Sequence, residues 1–314
     1  MQELRNHVAA LAGGIGERNV WRYSALQRAA EYIEGELRRS GYSPTRQTYE
    51  VSRLPVSNIE VRVPGVWQVR PAEAVGYDPG RHDPGARPAV GSGSRADETL
   101  VLGAHYDTVG GSPGANDNGT GIAALLELAR RFAGRPQART VRFVAFVNEE
   151  PPFFQTPQMG SLVYANAAGA RGDRIVGMLS LETMGYYSEE RGSQAYPVPQ
   201  MAAGYPDVGN FIGLVANLES SALLSAAARA FPDGSSLPLQ SAAMPGELPG
   251  AGWSDHWSFW QAGYPALMVT DTAPWRYPWY HTPDDTPDKI DFERLAEVVN
   301  GLEQVILALA REST

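Results

Sequence analysis

Five short apolar runs, separated by helical stretches, occupy this chain from residue 99 onward. The runs lie at 99–106, 140–147, 175–181, 211–216 and 265–270, and helical periodicity is found at 119–132, 159–168, 219–230 and 289–311. Such alternation predicts parallel strands that are covered by helices on both faces. We therefore expect an α/β fold, a three-layer helix-sheet-helix arrangement with a central mixed, mostly parallel sheet.

The rest of the chain predicts additions to this sheet. Residues 1–40 have helical periodicity, and two alternating segments at 46–54 and 58–63 predict further strands. Loops are predicted for three stretches rich in Pro and Gly, which lie at 78–97, 186–209 and 232–253. We expect a single domain over residues 1–314, with residues 1–40 as an N-terminal helical extension packed on it.

The composition excludes several classes of function. The 26 basic and 35 acidic residues give a net charge of −9, and no Lys/Arg-rich run is present, which argues against nucleic acid as a partner. The absence of cysteine excludes thiol nucleophiles, Cys-ligated zinc and disulfides, so His and carboxylates are the strong metal ligands that remain.

The sequence contains neither a membrane span nor a secretory signal. No apolar run reaches the ~18 to 20 residues that cross a bilayer, and the N-terminus lacks the apolar stretch and cleavage site of a signal peptide. We therefore expect a cytoplasmic protein with no membrane partner, or a secreted one if a leader has been removed. The oligomeric state is not readable from the residues.

Acidic and histidine residues follow three of the predicted strands. His105 and Asp107 end the first, Glu149 and Glu150 follow the second, and Glu182 ends the third. Ligands of open α/β sheets bind at the carboxyl ends of strands, so these residues are candidates for a metal site. His105 and Asp107 start on the same side of an extended strand end, which allows Asp107 to orient the His105 ring.

Glu149 and Glu150 are adjacent carboxylates at the end of a buried strand. Such a pair repels unless a cation lies between its members. With a metal present, one carboxylate binds the ion and the other accepts a proton from water.

Two further candidates have competing structural interpretations. Asp117 stands between two asparagines just before a helix, where an Asx turn or a helix N-cap is the alternative to a metal ligand. His281 lies among aromatic residues, so it is either a metal ligand in an aromatic pocket or a packed histidine. His256 competes for the ligand role or supports the pocket edge.

The motifs HYD, GANDNGTG, NEE, SDH and YHTPDDT occur in this order between residues 99 and 302. This combination resembles the zinc aminopeptidases of the M28 type, which have a zinc-exopeptidase fold and a co-catalytic site with two zinc ions. The resemblance implies that Asp117 bridges the ions, that Glu150 and His281 complete one site, and that His105 belongs to the other. It also implies Glu149 as general base, Asp107 as the residue that orients His105, and a cis peptide between Asp117 and Asn118.

The third strand departs from that family, because Glu182 stands where an aspartate is usual. Glutamate is still an oxygen ligand for the second zinc ion. A glutaminyl cyclase, which shares the fold but binds one zinc, is therefore the alternative function. A non-enzymatic binding module is disfavoured because both Glu149 and Glu150 are present.

A serine hydrolase is the remaining alternative. GGSPG around Ser112 has the spacing of a nucleophile elbow, but Pro113 lacks the N–H that such an elbow donates to the oxyanion.

We thus expect a zinc aminopeptidase that acts on peptides with a free N-terminus. Aromatic residues flank the metal candidates and predict a pocket for a large hydrophobic first residue. They are Phe153, Phe154, Trp275, Trp279 and Tyr280.

Overall fold

The structure, a computed structural model, describes residues 1–66 and 95–311. These residues form one mixed sheet of eight strands with helices on both faces. The strands are β1 (Thr45–Val51), β2 (Leu54–Val63), β3 (Glu98–His105), β4 (Thr140–Phe146), β5 (Arg174–Glu182), β6 (Ile212–Ala216), β7 (Leu239–Ala243) and β8 (Ala266–Thr270). The helices are α1 (Gln2–Val8), α2 (Tyr23–Arg39), α3 (Gly121–Phe132), α4 (Gly160–Arg171), α5 (Pro199–Ala202), α6 (Ser221–Ala230), α7 (His256–Gln261), α8 (Ala273–Arg276) and α9 (Phe292–Ala310).

The strand order is β1-β2-β4-β3-β5-β8-β6-β7. The central strands β4, β3, β5 and β8 run parallel to one another. Strand β2 is antiparallel to β4, and β6 is antiparallel to β8. The expected mixed α/β sheet is confirmed, and the carboxyl ends of its central strands meet at one edge.

The core lies in two layers, one on each face of the sheet. Along β3, Leu100 and Leu102 belong to a large hydrophobic cluster with α1, α2, α3, α6 and α9, whereas Val101 belongs to a smaller cluster with α4 and α7. Successive residues of a strand point to opposite faces, so one fully apolar strand contributes to both layers.

The predicted N-terminal helical extension consists of two helices, α1 and α2. Helix α1 continues into a wide helical turn at Ala9–Ile15, and Gly16 then adopts a φ of 77°, a conformation that suits glycine and ends the helix. Leu4 of α1 and Leu26 of α2 lie in the same cluster as Leu100 and Leu102 of β3. The short segment between the helices, residues 16–19, reaches the edge of the sheet where the strands end.

One predicted loop is wrong. Strand β7 lies within 232–253, which we expected to be irregular, and it pairs with β6 in parallel. The Pro and Gly residues around it hid a short strand that has neither a continuous apolar run nor clear alternation, LQSAA. The predicted loop at 186–209 contains the one-turn helix α5, and most of the loop predicted at 78–97 lies outside the described residues.

No helix in the ranges 1–66 and 95–311 is long and apolar enough to cross a membrane.

Candidate metal centre

The candidate metal ligands come together at the edge where the central strands end. Strands β4, β3 and β5 are neighbours and parallel, so the residues that follow them share this edge. All five carboxylates proposed from the sequence are buried, as is His105, while His281 is partly exposed. Carboxylates rarely lie buried together without a partner of opposite charge.

Asp117 lies at the centre of the group. Its Oδ1 atom is 3.3 Å from Nε2 of His105, and its Oδ2 atom is 3.0 Å from Nε2 of His281. Each oxygen of the carboxylate thus faces a different imidazole. A carboxylate in this position has the shape of a bridge between two ions.

Each histidine also faces a glutamate. Nε2 of His281 is 3.3 Å from Oε2 of Glu150, and Nε2 of His105 is 3.3 Å from Oε2 of Glu182. In a tetrahedral zinc site with bonds of the usual length, two ligand atoms lie about 3.3 Å apart. The spacing of both groups therefore matches the edge of a zinc coordination tetrahedron.

Unpaired polar atoms support this interpretation. Nε2 of His281 is buried and has no hydrogen-bond partner within residues 1–66 and 95–311, although two carboxylate oxygens lie near it. His105, Asp117 and Glu150 each offer a ligand atom, and these atoms all lie within 4.8 Å of one another. A metal ligand needs a nitrogen that is not already used in a hydrogen bond and that lies close to other ligand atoms. Nε2 of His281 meets both conditions, so the residues fit a divalent metal.

The electrostatics show the same need for a cation. Burial, with a contribution from neighbouring carboxylates, raises the pKa of Glu149 well above its usual value and raises that of Glu150 to about 7. Burial by itself lowers the pKa of His105, but Glu149 and Glu182 outweigh it and raise this pKa well above its usual value. Without a metal, the group must bind protons to relieve its negative charge.

Asp107 holds the two glutamates through their main chain. Its two carboxylate oxygens accept hydrogen bonds from the N–H groups of Glu149 and Glu150, each at 3.1 Å. Nδ1 of His105 lies 3.2 Å from the main-chain carbonyl of Asp107 and 3.6 Å from its carboxylate. Asp107 therefore lies against the His105 ring, with its main-chain carbonyl oxygen as the closest atom.

The helix-capping contact that was the alternative role for Asp117 is made by its neighbour, Asn118. Oδ1 of Asn118 accepts from the N–H of Gly121 at the start of α3, and from Thr183. The peptide between Asp117 and Asn118 is cis, which confirms the expectation from the resemblance. Asp117 is left free to face the histidines.

Asp285, which the sequence did not single out, positions the segment before Asp117. Its carboxylate accepts from the N–H of Asn116 at 2.8 Å and of Asp117 at 3.1 Å, and from the hydroxyl of Tyr277 at 2.7 Å. Asp285 lies in the motif YHTPDDT, four residues after His281, and this position was the sequence signal that could have identified it. The loop of His281 and the loop of Asp117 are thereby joined.

The SDH motif supports the site without supplying a close ligand. Ser254 donates to Oε2 of Glu182 at 2.7 Å. Nε2 of His256 lies 2.7 Å from the carbonyl of Ala251, and burial lowers the pKa of His256 to about 4. Since this nitrogen is engaged with Ala251, the structure places His256 in the supporting position. Ser112, the residue of the rejected nucleophile elbow, accepts from the N–H of Gly114.

Arg18 was missed altogether. It is fully buried, and its guanidinium donates to the carbonyls of Tyr106, Pro113 and Gly114 at 2.6–2.9 Å, with a longer bond to Gly16. These carbonyls flank the loop between Asp107 and Asp117. In the sequence Arg18 looks like one more charged residue of a helical segment, so no local signal distinguished it.

We expect Arg18→Ala to lower the free energy of unfolding by about 3 kcal/mol, because several buried carbonyls lose their donor. Arg28→Ala, at an exposed position of α2, is the matched control and should change it by less than about 0.5 kcal/mol. Urea denaturation of both variants measures the difference. Equal values would show that Arg18 does not hold this loop.

Comparison with known proteins identifies the family to which this chain belongs. Residues 89–306 match the model of Peptidase family M28. The uncharacterized protein YfbL of Escherichia coli K12 is 34% identical over 309 residues, which cover 96% of this chain and 86% of YfbL. Aminopeptidase YwaD of Bacillus subtilis 168 is 31% identical over 204 residues, which cover 64% of this chain and 38% of YwaD.

Two solved structures have the same fold. BSAP, a zinc aminopeptidase from Bacillus subtilis, superposes with a TM-score of 0.72 at 16% identity, over 99% of this chain and 95% of that one. A glutaminyl cyclase from Fimbriiglobus ruber superposes with a TM-score of 0.63 at 19% identity, over 98% and 94%. The match to the family over most of the chain, with the similarity to YfbL along nearly all of it, shows that this protein belongs to peptidase family M28, whose metal-dependent peptidase chemistry its buried His, Asp and Glu residues fit.

Proposed function

We propose that this protein is a zinc-dependent aminopeptidase that removes the first residue from peptides with a free N-terminus. The observation that carries the proposal is the position of Asp117, each of whose oxygens faces its own histidine and glutamate pair. This arrangement provides ligands for two zinc ions, one at Glu150 and His281 and one at His105 and Glu182. Zinc held there would supply a Lewis acid that lowers the pKa of water and polarises the scissile carbonyl.

Glu149 is the residue that we assign to proton transfer. Its Oε2 atom is 3.9 Å from Nε2 of His105, whereas that of Glu182 is 3.3 Å from the same nitrogen. Glu149 therefore lies beside the ligand group without sharing its closest contacts. Burial raises the pKa of Glu149 above its ordinary value, and a carboxylate with a raised pKa is a stronger proton acceptor. It takes a proton from the attacking water and passes it to the leaving amine.

The charge of the site favours a free N-terminus. Five carboxylates meet at this edge, and two divalent cations would neutralise four of them. Asp255 adds a further buried carboxyl whose oxygens have no hydrogen-bond partner among the described residues. The remaining negative charge attracts a protonated α-amino group.

An apolar cleft opens beside Glu182. Glu182 and Tyr280 line it together with Met201, Met244, Trp253 and Trp275. Of the five aromatic residues proposed from the sequence, only Trp275 and Tyr280 contribute. Phe153 stacks on Trp21 instead, and Trp279 packs edge-on against Tyr186 and Tyr277.

We expect this cleft to select the first residue of the substrate. Burying a Leu, Met or Phe side chain is favourable by about 1.5–3 kcal/mol, so kcat/KM should be about tenfold or more higher for these residues than for Asp or Lys. A panel of aminoacyl amides measures the preference. In Met244→Lys, the ratio of kcat/KM for the Leu substrate to kcat/KM for the Asp substrate should decrease. An enzyme that prefers Asp or Lys would contradict this use of the cleft.

The function itself is tested by mass spectrometry of unblocked peptides incubated with zinc-loaded protein and with a chelated control. One peptide begins with Gln. Stepwise loss of first residues in the zinc-loaded sample alone is the expected result. Intact peptides in both samples would reject the proposal.

Glutaminyl cyclase is the second candidate, and the contact between Glu182 and Ser254 favours it. Because the Ser254 hydroxyl donates to Glu182 at 2.7 Å, this carboxylate has a partner even when it binds no metal. A site with one zinc would then remain at Asp117, Glu150 and His281. Loss of ammonia from the Gln peptide, without removal of residues from the others, would favour this function.

A further inference from the structure

We propose that Trp21 and Phe153 form the subsite for the second residue of the peptide, the residue that becomes the N-terminus of the product. This inference rests on the proposed aminopeptidase function. Both residues lie outside the cleft assigned to the first residue, and Trp21 comes from the N-terminal segment, which has no part in the ligand set.

Trp21 is an exposed aromatic residue on a well-defined backbone. Its side chain is 62% exposed, and its ring stacks on that of Phe153 with centroids 6.2 Å apart and an angle of 21°. Oδ1 of Asn19 accepts from the N–H groups of Trp21 and Arg22, each at 3.1 Å. Phe153 thus packs against one face of the indole, and the hydrogen bonds from Asn19 fix the main chain of Trp21.

The Trp21–Phe153 pair is connected directly to the metal residues. The N–H of Phe153 donates to the carbonyl of Glu150 at 3.0 Å, and the N–H of Val109 donates to the Glu150 carboxylate at 3.0 Å. Asn19 donates in turn to the carbonyl of Thr108 at 3.2 Å. Glu150 is therefore linked to Trp21 in two ways. One link runs through Phe153 in the loop after β4, and the other runs through Val109 and Thr108 in the loop after β3 and then Asn19.

The strand order places this pair and the apolar cleft on opposite sides of the site. Phe153 belongs to the loop after β4, on one side of β3. The cleft is lined by Glu182 at the end of β5, by Met268 of β8 and by Val215 of β6, all on the other side of β3. A peptide whose first side chain enters the cleft crosses His105 and continues towards Trp21.

An aromatic surface of this kind favours an apolar or aromatic second residue. The indole face offers a rigid contact area with little loss of conformational entropy, and aromatic pairs prefer the offset or edge-on geometry that a partly exposed ring permits. A glycine at the second position makes no such contact. The structure thus predicts that Leu-Phe is a better substrate than Leu-Gly.

The test compares kcat/KM for Leu-Phe, Leu-Gly and Leu-NH2 in the full chain. In Trp21→Ala, the ratio of Leu-Phe to Leu-Gly should fall by about three- to tenfold, mainly through KM, because one aromatic contact is lost. Leu-NH2, which has no second residue, should change less than Leu-Phe does. Trp21→Phe keeps a ring and should retain most of the ratio.

Leu218→Ala is the control for the loss of an exposed apolar side chain. Leu218 is 54% exposed and follows β6, which runs antiparallel to β8 and therefore ends at the edge of the sheet opposite the site, so the ratio should stay at its wild-type value. Because Trp21 is exposed, its replacement should leave the fold intact, which a thermal unfolding scan of each variant checks.

The outcomes separate this inference from the proposed function. Normal cleavage by Trp21→Ala with an unchanged ratio would reject the subsite and leave the aminopeptidase standing. An equal loss on all three substrates would also reject it, since Trp21 would then act on the whole site. If the wild-type protein cleaves none of them, the proposed function fails and the subsite fails with it.

Discussion

Replacement of Glu149 by glutamine is expected to lower kcat by at least about 10²- to 10⁴-fold, the usual contribution of a general base. Glutamine has the same shape but cannot accept the proton from water. The main-chain N–H of residue 149 keeps its bond to Asp107, so the loop should keep its position. Steady-state kinetics with a leucyl peptide, on samples of equal zinc content, measures the effect.

Zinc content is the control for this variant. Glu149 does not share the closest ligand contacts, so Glu149→Gln should bind as much zinc as the wild type, measured by elemental analysis after dialysis. Turnover close to that of the wild type would remove Glu149 from the mechanism. Loss of zinc together with activity would instead make it a ligand.

Replacement of Asp117 by asparagine is expected to weaken zinc binding at both of the proposed sites. The amide oxygen can still face one histidine, but the NH₂ group that replaces the second oxygen cannot bind a metal, and the negative charge is lost. Removal of a group that only supports a ligand costs about 10- to 100-fold in metal affinity, and the loss of a shared ligand should exceed that. We expect the zinc content to fall well below that of the wild type, with activity lost in parallel.

Two single-site variants distinguish the two proposed zinc sites. His281→Ala should weaken the site at Glu150, and Glu182→Gln should weaken the site at His105, each leaving the other in place. Zinc stabilises the folded protein by about 2.7 kcal/mol per site at a concentration of 100 times Kd, so thermal unfolding with and without zinc gives a readout independent of activity. If Asp117→Asn binds as much zinc as the wild type, Asp117 is not a ligand shared by the two proposed sites. If only Glu182→Gln does so, the protein has one site.

Much of the fold was predictable because the relevant signals are local. The runs at 99–106 and 175–181 correspond to β3 (Glu98–His105) and β5 (Arg174–Glu182) within about one residue at each end. Strands that are buried on both faces must be apolar throughout, and that property is visible in a short stretch of sequence. Strand β7 was missed because an edge strand with small and polar residues carries no such signal.

The metal residues were predictable for a similar reason, while their supports were not. His105, Glu149, Glu150 and Glu182 follow apolar runs, and a polar group directly after a buried strand stands out. Arg18 and Asp285 do not. Apart from Gly16 and Tyr277, the partners of their side chains lie more than 80 positions away in the chain, and no local pattern indicates such contacts.

The sequence by itself determined the alternation of strands and helices, and through it the residues that stand at strand ends, because periodicity and burial are properties of neighbouring residues. Only the tertiary structure decided that the two oxygens of Asp117 face His105 and His281, that Arg18 lies beneath the loop between Asp107 and Asp117, and that the apolar cleft and Trp21 lie on opposite sides of β3. These distances depend on the order of the strands in the sheet and on where the N-terminal segment docks. That order arises from packing among residues far apart in the chain.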